Sequence, residues 1–236
     1  MCTVTLTALN APQKFVLTSN RDEAKQRETL PPSFEEYQGV KLLFPKDRVA
    51  GGTWLGISKH KRVLCLLNGE FVTHKRQPPY RKSRGLIVKD WLASQNIQKE
   101  IQEYNLQKIE PFTLIIADWQ QKLKFMEFVW DGKNKHFRDL PLETHIWSSS
   151  PLYTPEMKKM RESWFEDFLL KKEITPDKLW EFHHSAGKED KETGLIMERP
   201  YVRTQSISQV IASEEKCELK YEDLNSSEIS VNEFNF

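Results

Sequence analysis

The sequence predicts an α+β fold in which two mostly antiparallel β-sheets carry helices on their outer sides. Short runs of alternating apolar and polar residues, separated by turn residues, predict β-hairpins. Apolar residues at three-to-four spacing in the segments 82–94 and 155–171 predict helices. Between residues 112 and 149 the period changes to two, which predicts a meander of strands. The alternative is a generic α+β fold with a single sheet and its helices on one side.

The first predicted hairpin organises the rest of the chain. Residues 3–8 and 14–18 alternate and are rich in β-branched side chains, and Asn10-Ala11-Pro12 supplies the turn between them. If the two strands pair antiparallel, the end of the second lies opposite the start of the first. We therefore expect Asn20, Arg21 and Asp22 to lie beside Cys2.

The remaining elements follow the same two periods. Strands are predicted at residues 54–58, 62–67, 112–118, 123–130, 135–138, 144–149, 201–212 and 216–221. Helices are predicted at residues 82–94, 97–104, 155–171 and 176–186. The polar, proline-containing stretch from residue 24 to residue 47 predicts a long loop across the mouth of the site, and residues 225–236 predict a loosely held tail.

Length and composition restrict the class of protein. The chain has 236 residues and no evident linker, so we expect one domain over residues 1–236. A composition of 38% hydrophobic and 29% charged residues, with a net charge of +1, is typical of a soluble globular protein and argues against nucleic-acid binding. Neither a secretory signal nor a membrane-spanning segment is evident, so the expected location is cytoplasmic. The odd number of cysteines, 3, argues against a disulfide framework.

Cys2 is the first candidate for chemistry. Removal of Met1 would leave a thiol and a free α-amine on one residue, which supplies both a nucleophile and its base. The α-amine titrates at about 7.7–8.0 and a thiol at about 8.5, so both have reactive forms near neutral pH. Arg21 would lower the thiol pKa by its charge, and Asp22 would orient the amine by a hydrogen bond. The alternative is that a cysteine at position 2 has no role.

Three segments together carry a family resemblance. Met1-Cys2, the segment Asn20-Arg21-Asp22-Glu23 and the segment Gly51-Gly52-Thr53-Trp54-Leu55-Gly56 occur in this order. In this the chain resembles the NRDE family, also called the transport-and-Golgi-organisation family. That family is similar to N-terminal-nucleophile (Ntn) hydrolases of the choloylglycine hydrolase and penicillin V acylase type. The resemblance implies a four-layer αββα sandwich and a cysteine amidohydrolase that cleaves a linear acyl amide, with Cys2 as the nucleophile and no metal.

The resemblance also implies roles for residues further along the chain. Asn68 is the candidate oxyanion-hole donor, although Asn68 followed by Gly69 is equally typical of a tight turn. Arg203 is a candidate catalytic residue, because an arginine on a late strand adjoins the cysteine in the related hydrolases. Arg84 lies in a Ser-Arg-Gly triplet like that of the family, where it would meet an acidic substrate or be solvated at a helix start. Asn20 and Trp54, within the shared motifs, are predicted to bind substrate.

A second function stays open on the same fold. The NRDE family has been linked to lipid homeostasis and to haem trafficking, which implies a non-catalytic carrier of a lipid-like ligand or haem. Haem would need an axial ligand, for which Cys2 or one of the 6 histidines is the obvious type. His183 and His184 are adjacent, so their rings point about 100° apart on a helix and do not chelate one metal. A papain-type Cys-His protease is a third class, but its sequence signature is missing. The expected partner is a small molecule, and the sequence predicts no oligomeric state.

Overall fold

The computed structural model describes residues 2–171 and 173–236, and it describes Cys2 through its backbone alone. The chain divides into two compact units. The first contains the residues up to Arg27 together with Leu142–Asn235, and the second contains Glu28–Pro141 with Phe236. The second unit is therefore an insertion in the sequence of the first.

The first unit is a six-stranded antiparallel sheet with helices packed on it. Its strands are β1 (Cys2–Ala8), β2 (Phe15–Ala24), β10 (His145–Ser148), β11 (Val202–Ala212), β12 (Lys216–Asp223) and β13 (Glu228–Asn235), in the spatial order β10-β1-β2-β11-β12-β13. Its helices are α3 (Pro155–Lys171) and α4 (Pro176–Ser185). The predicted hairpin is confirmed, and the sheet places β1 and β2 in its interior.

The aromatic side chains of α3 and α4 form a hydrophobic core cluster in the first unit. Phe165 and Phe168 from α3 pack with Phe182 from α4, with ring centroids 5.0 and 5.1 Å from that of Phe182. Val16 of β2 belongs to the same buried cluster. Because burial of each such side chain stabilises the fold by roughly 1.5–3 kcal/mol, this cluster fixes the two helices on one face of the sheet.

The second unit is a seven-stranded antiparallel sheet. Its strands are β3 (Thr29–Tyr37), β4 (Val40–Asp47), β5 (Leu55–Ser58), β6 (Arg62–Asn68), β7 (Phe112–Asp118), β8 (Lys124–Trp130) and β9 (Lys135–Leu140), which lie in chain order across the sheet. Its helices are α1 (Arg84–Ala93) and α2 (Ile97–Glu103). Trp91 of α1 is fully buried and its ring lies 5.1 Å from that of Phe128. The four predicted helices are thus confirmed.

Two sequence-based predictions about irregular segments are wrong. Residues 24–47 are not a long loop, because β2 continues to Ala24 and β3 and β4 form a hairpin. Pro31 and Pro32 lie where the β3–β4 register shifts, on the edge strand of the sheet, where a missing N–H breaks no regular ladder.

The predicted loose tail is also wrong. Residues 228–235 form β13, which pairs along its length with β12. Phe234 is fully buried and anchors the strand, whereas the polar side chains of β13 make its sequence look solvated. No helix within the described residues is both long enough and apolar enough to cross a membrane.

Candidate functional site

The hairpin register brings the predicted catalytic segment together at backbone level. Cys2 is the cross-strand partner of Arg21, and Thr3 is the partner of Asn20. Asp22 follows Arg21 on β2, one residue beyond the last pair of the hairpin. The predicted roles of the Cys2 thiol and of Met1 removal lie outside the described residues. The main-chain arrangement is the one that the sequence predicts.

Side chains on β2 alternate between the two faces of the sheet. Asn20 and Asp22 face the helices, because Asn20 contacts His183 of α4 and Asp22 contacts Tyr153 just before α3. Arg21 therefore projects from the opposite face. Its Nη2 lies 3.9 Å from Oε2 of Glu23, which shares that face. The side chains of Arg21 and Asp22 thus project from opposite faces of the sheet, next to the same end of β1.

Asn20 is fully buried, and its amide group joins three structural elements. Its Nδ2 donates to the carbonyl oxygens of His183 at 3.1 Å and Leu195 at 2.9 Å. Its Oδ1 is left to accept from Nδ1 of His183. These contacts favour a structural role for Asn20, and substrate binding by this residue stays a prediction without support from its contacts.

His183 is held neutral in this arrangement. Since Nδ1 donates to Asn20, Nε2 accepts from Oγ1 of Thr5, at 2.8 Å. Burial lowers the pKa of His183 to about 3, and the neighbouring charges of His184 and Arg161 act in the same direction. Both ring nitrogens are occupied. His184 is similar, because its Nδ1 contacts the carbonyl oxygen of Trp180 and its Nε2 contacts Glu222 at 2.7 Å. Neither histidine fits the role of an axial haem ligand.

Asp22 is fully buried and is bound through both carboxylate oxygens. Tyr153 donates its hydroxyl to Oδ2, and Thr204 of β11 donates its hydroxyl to Oδ1 at 2.6 Å. Burial raises the pKa of Asp22, whereas the Arg161 charge and the two hydroxyl donors oppose that rise. A buried carboxylate with several dedicated partners is a feature of functional sites.

Arg203 lies on β11 beside the same segment of β2. It is the cross-strand partner of Glu23, and its backbone forms an isolated antiparallel β-bridge with that of Glu198. Its Nε is buried without a hydrogen-bond partner among the described residues. Because an unsatisfied buried donor is uncommon, Arg203 retains hydrogen-bonding capacity for a further group. Its predicted catalytic role stays a prediction.

In the second unit, the glycine motif meets the Ser-Arg-Gly triplet. The N–H of Thr53 donates to the carbonyl oxygen of Gly85 at 3.1 Å. A Cβ atom on Gly52 would lie 2.7 Å from the main-chain nitrogen of Leu86 and nearer still to the carbonyl carbon of Gly85, so only glycine fits there. Trp54 follows this contact and is buried. A close approach of two backbones therefore explains Gly52, whereas Gly51 has a φ of +67° and open space at its Cβ position.

Arg84 and the Asn68-Gly69 turn share one acceptor. The carbonyl oxygen of Pro111 accepts from Nη1 of Arg84 at 3.0 Å and from the N–H of Gly69 at 3.1 Å. Nη2 of Arg84 also lies 2.9 Å from Oε2 of Glu110. These contacts indicate that Arg84 is a structural anchor. Asn68 is half-buried and is the last residue of β6, and Gly69, which follows it, has a φ of +84°. Substrate contact by Arg84, Trp54 or Asn68 stays a prediction.

Sequence reasoning missed the residues that surround Asp22. Thr204 directly follows the predicted site residue Arg203, so its position in the sequence was a usable signal. Tyr153 and Arg161 have no such signal, because a tyrosine before a helix start and an arginine inside a charged helix are common surface patterns. Both are buried in the structure. Only the packing of α3 on the sheet shows that they belong to the site.

Several solved structures share the fold. An N-acylethanolamine-hydrolyzing acid amidase ortholog from Caenorhabditis elegans has a TM-score of 0.60 at 10% identity, covering 88% of this chain and 92% of that chain. Penicillin V acylase from Agrobacterium tumefaciens has a TM-score of 0.56 at 9% identity, covering 98% of this chain and 85% of that chain. A single-residue variant of conjugated bile acid hydrolase from Clostridium perfringens has a TM-score of 0.55 at 10% identity, covering 100% of this chain and 96% of that chain.

These likenesses show an Ntn-hydrolase fold with two antiparallel sheets and four helices among the described residues. The predicted fold class is therefore confirmed. No curated protein is similar enough in sequence to give a significant match. Residues 1–227 match the family described as Transport and Golgi organisation 2. Because this match extends over nearly the whole chain, the protein belongs to the Transport and Golgi organisation 2 family.

Proposed function

We propose that this protein is a cysteine amidohydrolase of the Ntn type that cleaves a linear acyl amide. The observation that carries the proposal is the pairing of Cys2 with Arg21, with the buried Asp22 carboxylate one residue beyond. The names of the three structural neighbours, an acid amidase, an acylase and a bile acid hydrolase, support a reaction of this class. The reaction uses residues of the chain and one water molecule.

The proposed reaction proceeds through a thioester. After removal of Met1, the α-amine of Cys2 takes the thiol proton while the sulfur attacks the amide carbonyl carbon. The C–S bond forms, the C–N bond breaks, and the leaving amine takes the proton. Water then attacks the thioester with the α-amine as base, which releases the carboxylic acid and restores the thiol.

Each predicted site residue has a role in this scheme. Arg21 lowers the pKa of the thiol by its positive charge, and Asp22 orients the α-amine. Asn68 and a backbone N–H stabilise the tetrahedral oxyanion, a contribution typically worth about 10²–10³ in rate. Arg203 supplies a further donor to the reacting group. These assignments follow the family resemblance and are parts of the proposal.

The direct test compares Cys2→Ser and Cys2→Ala with the unmodified chain. Both variants should lose labelling by an electrophilic acyl probe and lose acyl-amide turnover by roughly 10³-fold or more, because the thiolate is the nucleophile. Cys65→Ala is the matched control, since it removes a buried thiol from β6. It should keep both signals. Undiminished turnover in either Cys2 variant would remove the proposal.

The carrier hypothesis makes a different prediction. Haem titration of the intact protein, followed at the Soret band, should give a saturable shift if the protein carries haem. A hydrolase without that function gives no saturable shift. The same samples report acyl-amide turnover, so the two functions are measured side by side.

A further inference from the structure

The carboxylate of Asp22 is surrounded by hydroxyl groups from two separate elements. Tyr153, which precedes α3, donates to one carboxylate oxygen, and Thr204 of β11 donates to the other. Tyr153, Thr204 and Asp22 are all buried. With each oxygen bound from a different direction, the carboxylate plane has one orientation.

Tyr153 has little freedom to move away from Asp22. The guanidinium of Arg161 lies 3.6 Å from the centre of its ring, a close cation–π contact. The hydroxyl also lies 3.4 Å from Sδ of Met197. Arg161 is itself fixed, because it donates to Oγ1 of Thr3 at 2.6 Å and to the carbonyl oxygen of Gly194 at 2.8 Å. The tyrosine is thus held by a side chain tied to β1.

Thr204 is fixed by a local irregularity of the sheet. The β11–β2 register shifts between Thr204 and Ser206, and the N–H of Thr204 donates to the carbonyl oxygen of Met197 at 2.9 Å. Its hydroxyl accepts from the N–H of Met197 at 2.9 Å. The single hydroxyl proton has two acceptors in reach, Oδ1 of Asp22 at 2.6 Å and the carbonyl oxygen of Leu195 at 3.2 Å. The carboxylate is the nearer and the charged acceptor, so the proton lies toward Asp22.

The charges around Asp22 favour its ionised form against the effect of burial. Arg161 contributes positive charge from α3, and Arg199 lies 6.0 Å from the centre of the Tyr153 ring. His183 of α4 is neutral, since its pKa is lowered to about 3. On β2 itself, Arg21 and Glu23 project from the opposite face. The two hydroxyl donors therefore act together with Arg161 to oppose protonation.

We propose that Tyr153 and Thr204 are positioning residues that hold both oxygens of the Asp22 carboxylate in the orientation needed at the amino end of β1. The inference rests on the proposed function, because it assigns the two residues to the reaction at Cys2 through Asp22. Neither residue needs to touch the substrate. Their effect is to fix the orientation of the Asp22 carboxylate and to oppose the rise in its pKa that burial causes.

The test uses Tyr153→Phe and Thr204→Val, each of which removes one hydroxyl and little volume. Tyr104→Phe is the matched control, because Tyr104 donates in the same way to a carboxylate, that of Asp90, in the second unit. Thr204→Ser is the rescue variant, since it keeps the hydroxyl. Two quantities are measured for each protein: the pKa of Asp22, from its carboxyl carbon resonance assigned with Asp22→Asn, and the pH dependence of kcat/KM for an acyl amide.

Removing either hydroxyl should raise the pKa of Asp22 by about one unit, because one unit corresponds to about 1.4 kcal/mol, the size of one hydrogen bond. The acid limb of kcat/KM should move to higher pH by the same amount. Tyr104→Phe should move neither quantity, and Thr204→Ser should restore both. A purely structural role would lower stability without moving the acid limb.

The outcomes separate the inference from the proposed function. An unchanged pKa of Asp22 in both variants overturns the inference while Cys2-dependent turnover stands. A raised pKa with an unmoved acid limb also overturns it, because Asp22 would then not act in the reaction. If Cys2→Ala turns over acyl amides as well as the unmodified chain does, the proposed function fails, and the positioning role at Cys2 fails with it.

Discussion

The side chain of Asn20 extends from β2, and its amide group joins this strand to α4 and to the segment that contains Leu195. All three of its hydrogen-bonding contacts are with the main chain or the ring of buried residues. Replacing such a residue leaves buried polar groups without partners, at a cost of about 1–3 kcal/mol for each group. Asn20 therefore fixes the ring of His183, and that neutral ring in turn binds Thr5 of β1.

His183 should make the free energy of unfolding depend on pH. The pKa of His183 is about 3 in the folded protein, below the value of 6.5 for an unperturbed histidine. The contribution of neutral His183 to the free energy of unfolding is therefore complete above about pH 6.5. It is lost as the pH falls toward 3, since the unfolded chain then binds a proton that the folded protein does not. The total change should be several kcal/mol.

Urea denaturation between pH 7 and pH 4 measures this dependence. His183→Gln should flatten the decline in the free energy of unfolding at low pH. His184→Gln is the control, because it removes the neighbouring, half-buried histidine and should leave most of the slope. The raised pKa of Asp22 changes the free energy of unfolding in the opposite direction as the pH falls. Asp22 is present in all three proteins, so this effect cancels in the comparison. Equal slopes for the unmodified chain and His183→Gln would contradict the assignment.

At the scale of elements, two motifs far apart in sequence form one contact. The loop before β5 and the start of α1 approach so closely that Gly52 and Gly85 leave no space for side chains. The same helix start is tied through Arg84 to Pro111, which also binds the turn after β6. The loop, the helix start and the turn that contains Asn68 are therefore one structural assembly within the second unit.

Gly52→Ala should destabilise this assembly strongly. The added Cβ would lie 2.7 Å from the main-chain nitrogen of Leu86, so backbone must move, at a cost of about 3 kcal/mol or more. Gly51→Ala is the matched control: its φ is +67° but nothing lies within 4 Å of its Cβ position. In that variant the free energy of unfolding should fall by only about 1–2 kcal/mol, because alanine is disfavoured in the left-handed backbone conformation. Urea denaturation measures both, and an equal loss in the two variants would refute the close-approach explanation.

At the scale of the whole molecule, the fold makes the beginning of the chain an interior strand of a sheet. β1 lies between β10 and β2, so the strand is held on two sides by its neighbours. Strand pairing therefore holds the backbone of Cys2 beside that of Arg21.

The proposed chemistry therefore predicts sensitivity to any amino-terminal extension. A protein with a non-cleavable extension before Cys2 keeps the thiol but has an amide in place of the α-amine, and it should show no acyl-amide turnover. The same extension placed after Phe236 should leave turnover unchanged. Intact mass establishes whether Met1 is absent from the active protein. Equal turnover in both extended proteins would indicate an ordinary thiol and contradict the amine's role as base.

The hairpin and most of the later elements were predictable because their periodicity is local. The strands β3 and β13 were not, since they are edge strands whose polar, exposed residues resemble those of loops. The strand β4 was also missed, although its Leu42, Leu43 and Phe44 are buried. Within the site, Cys2, Arg21 and Asp22 follow from the pairing of one hairpin. Tyr153 and Arg161 come from a segment more than a hundred residues away, and local patterns contain no information about such contacts.

The sequence by itself determined the hairpin register, the α+β class and the family, because turn residues, alternation and short motifs act over a few neighbouring positions. The tertiary structure alone decided which polar residues are anchors and which surround the buried carboxylate. Asn20 and Arg84 looked like binding residues in sequence and are committed to main-chain carbonyls or neighbouring residues in the fold. The physical reason is that hydrogen-bond partners and burial are set by packing between distant segments.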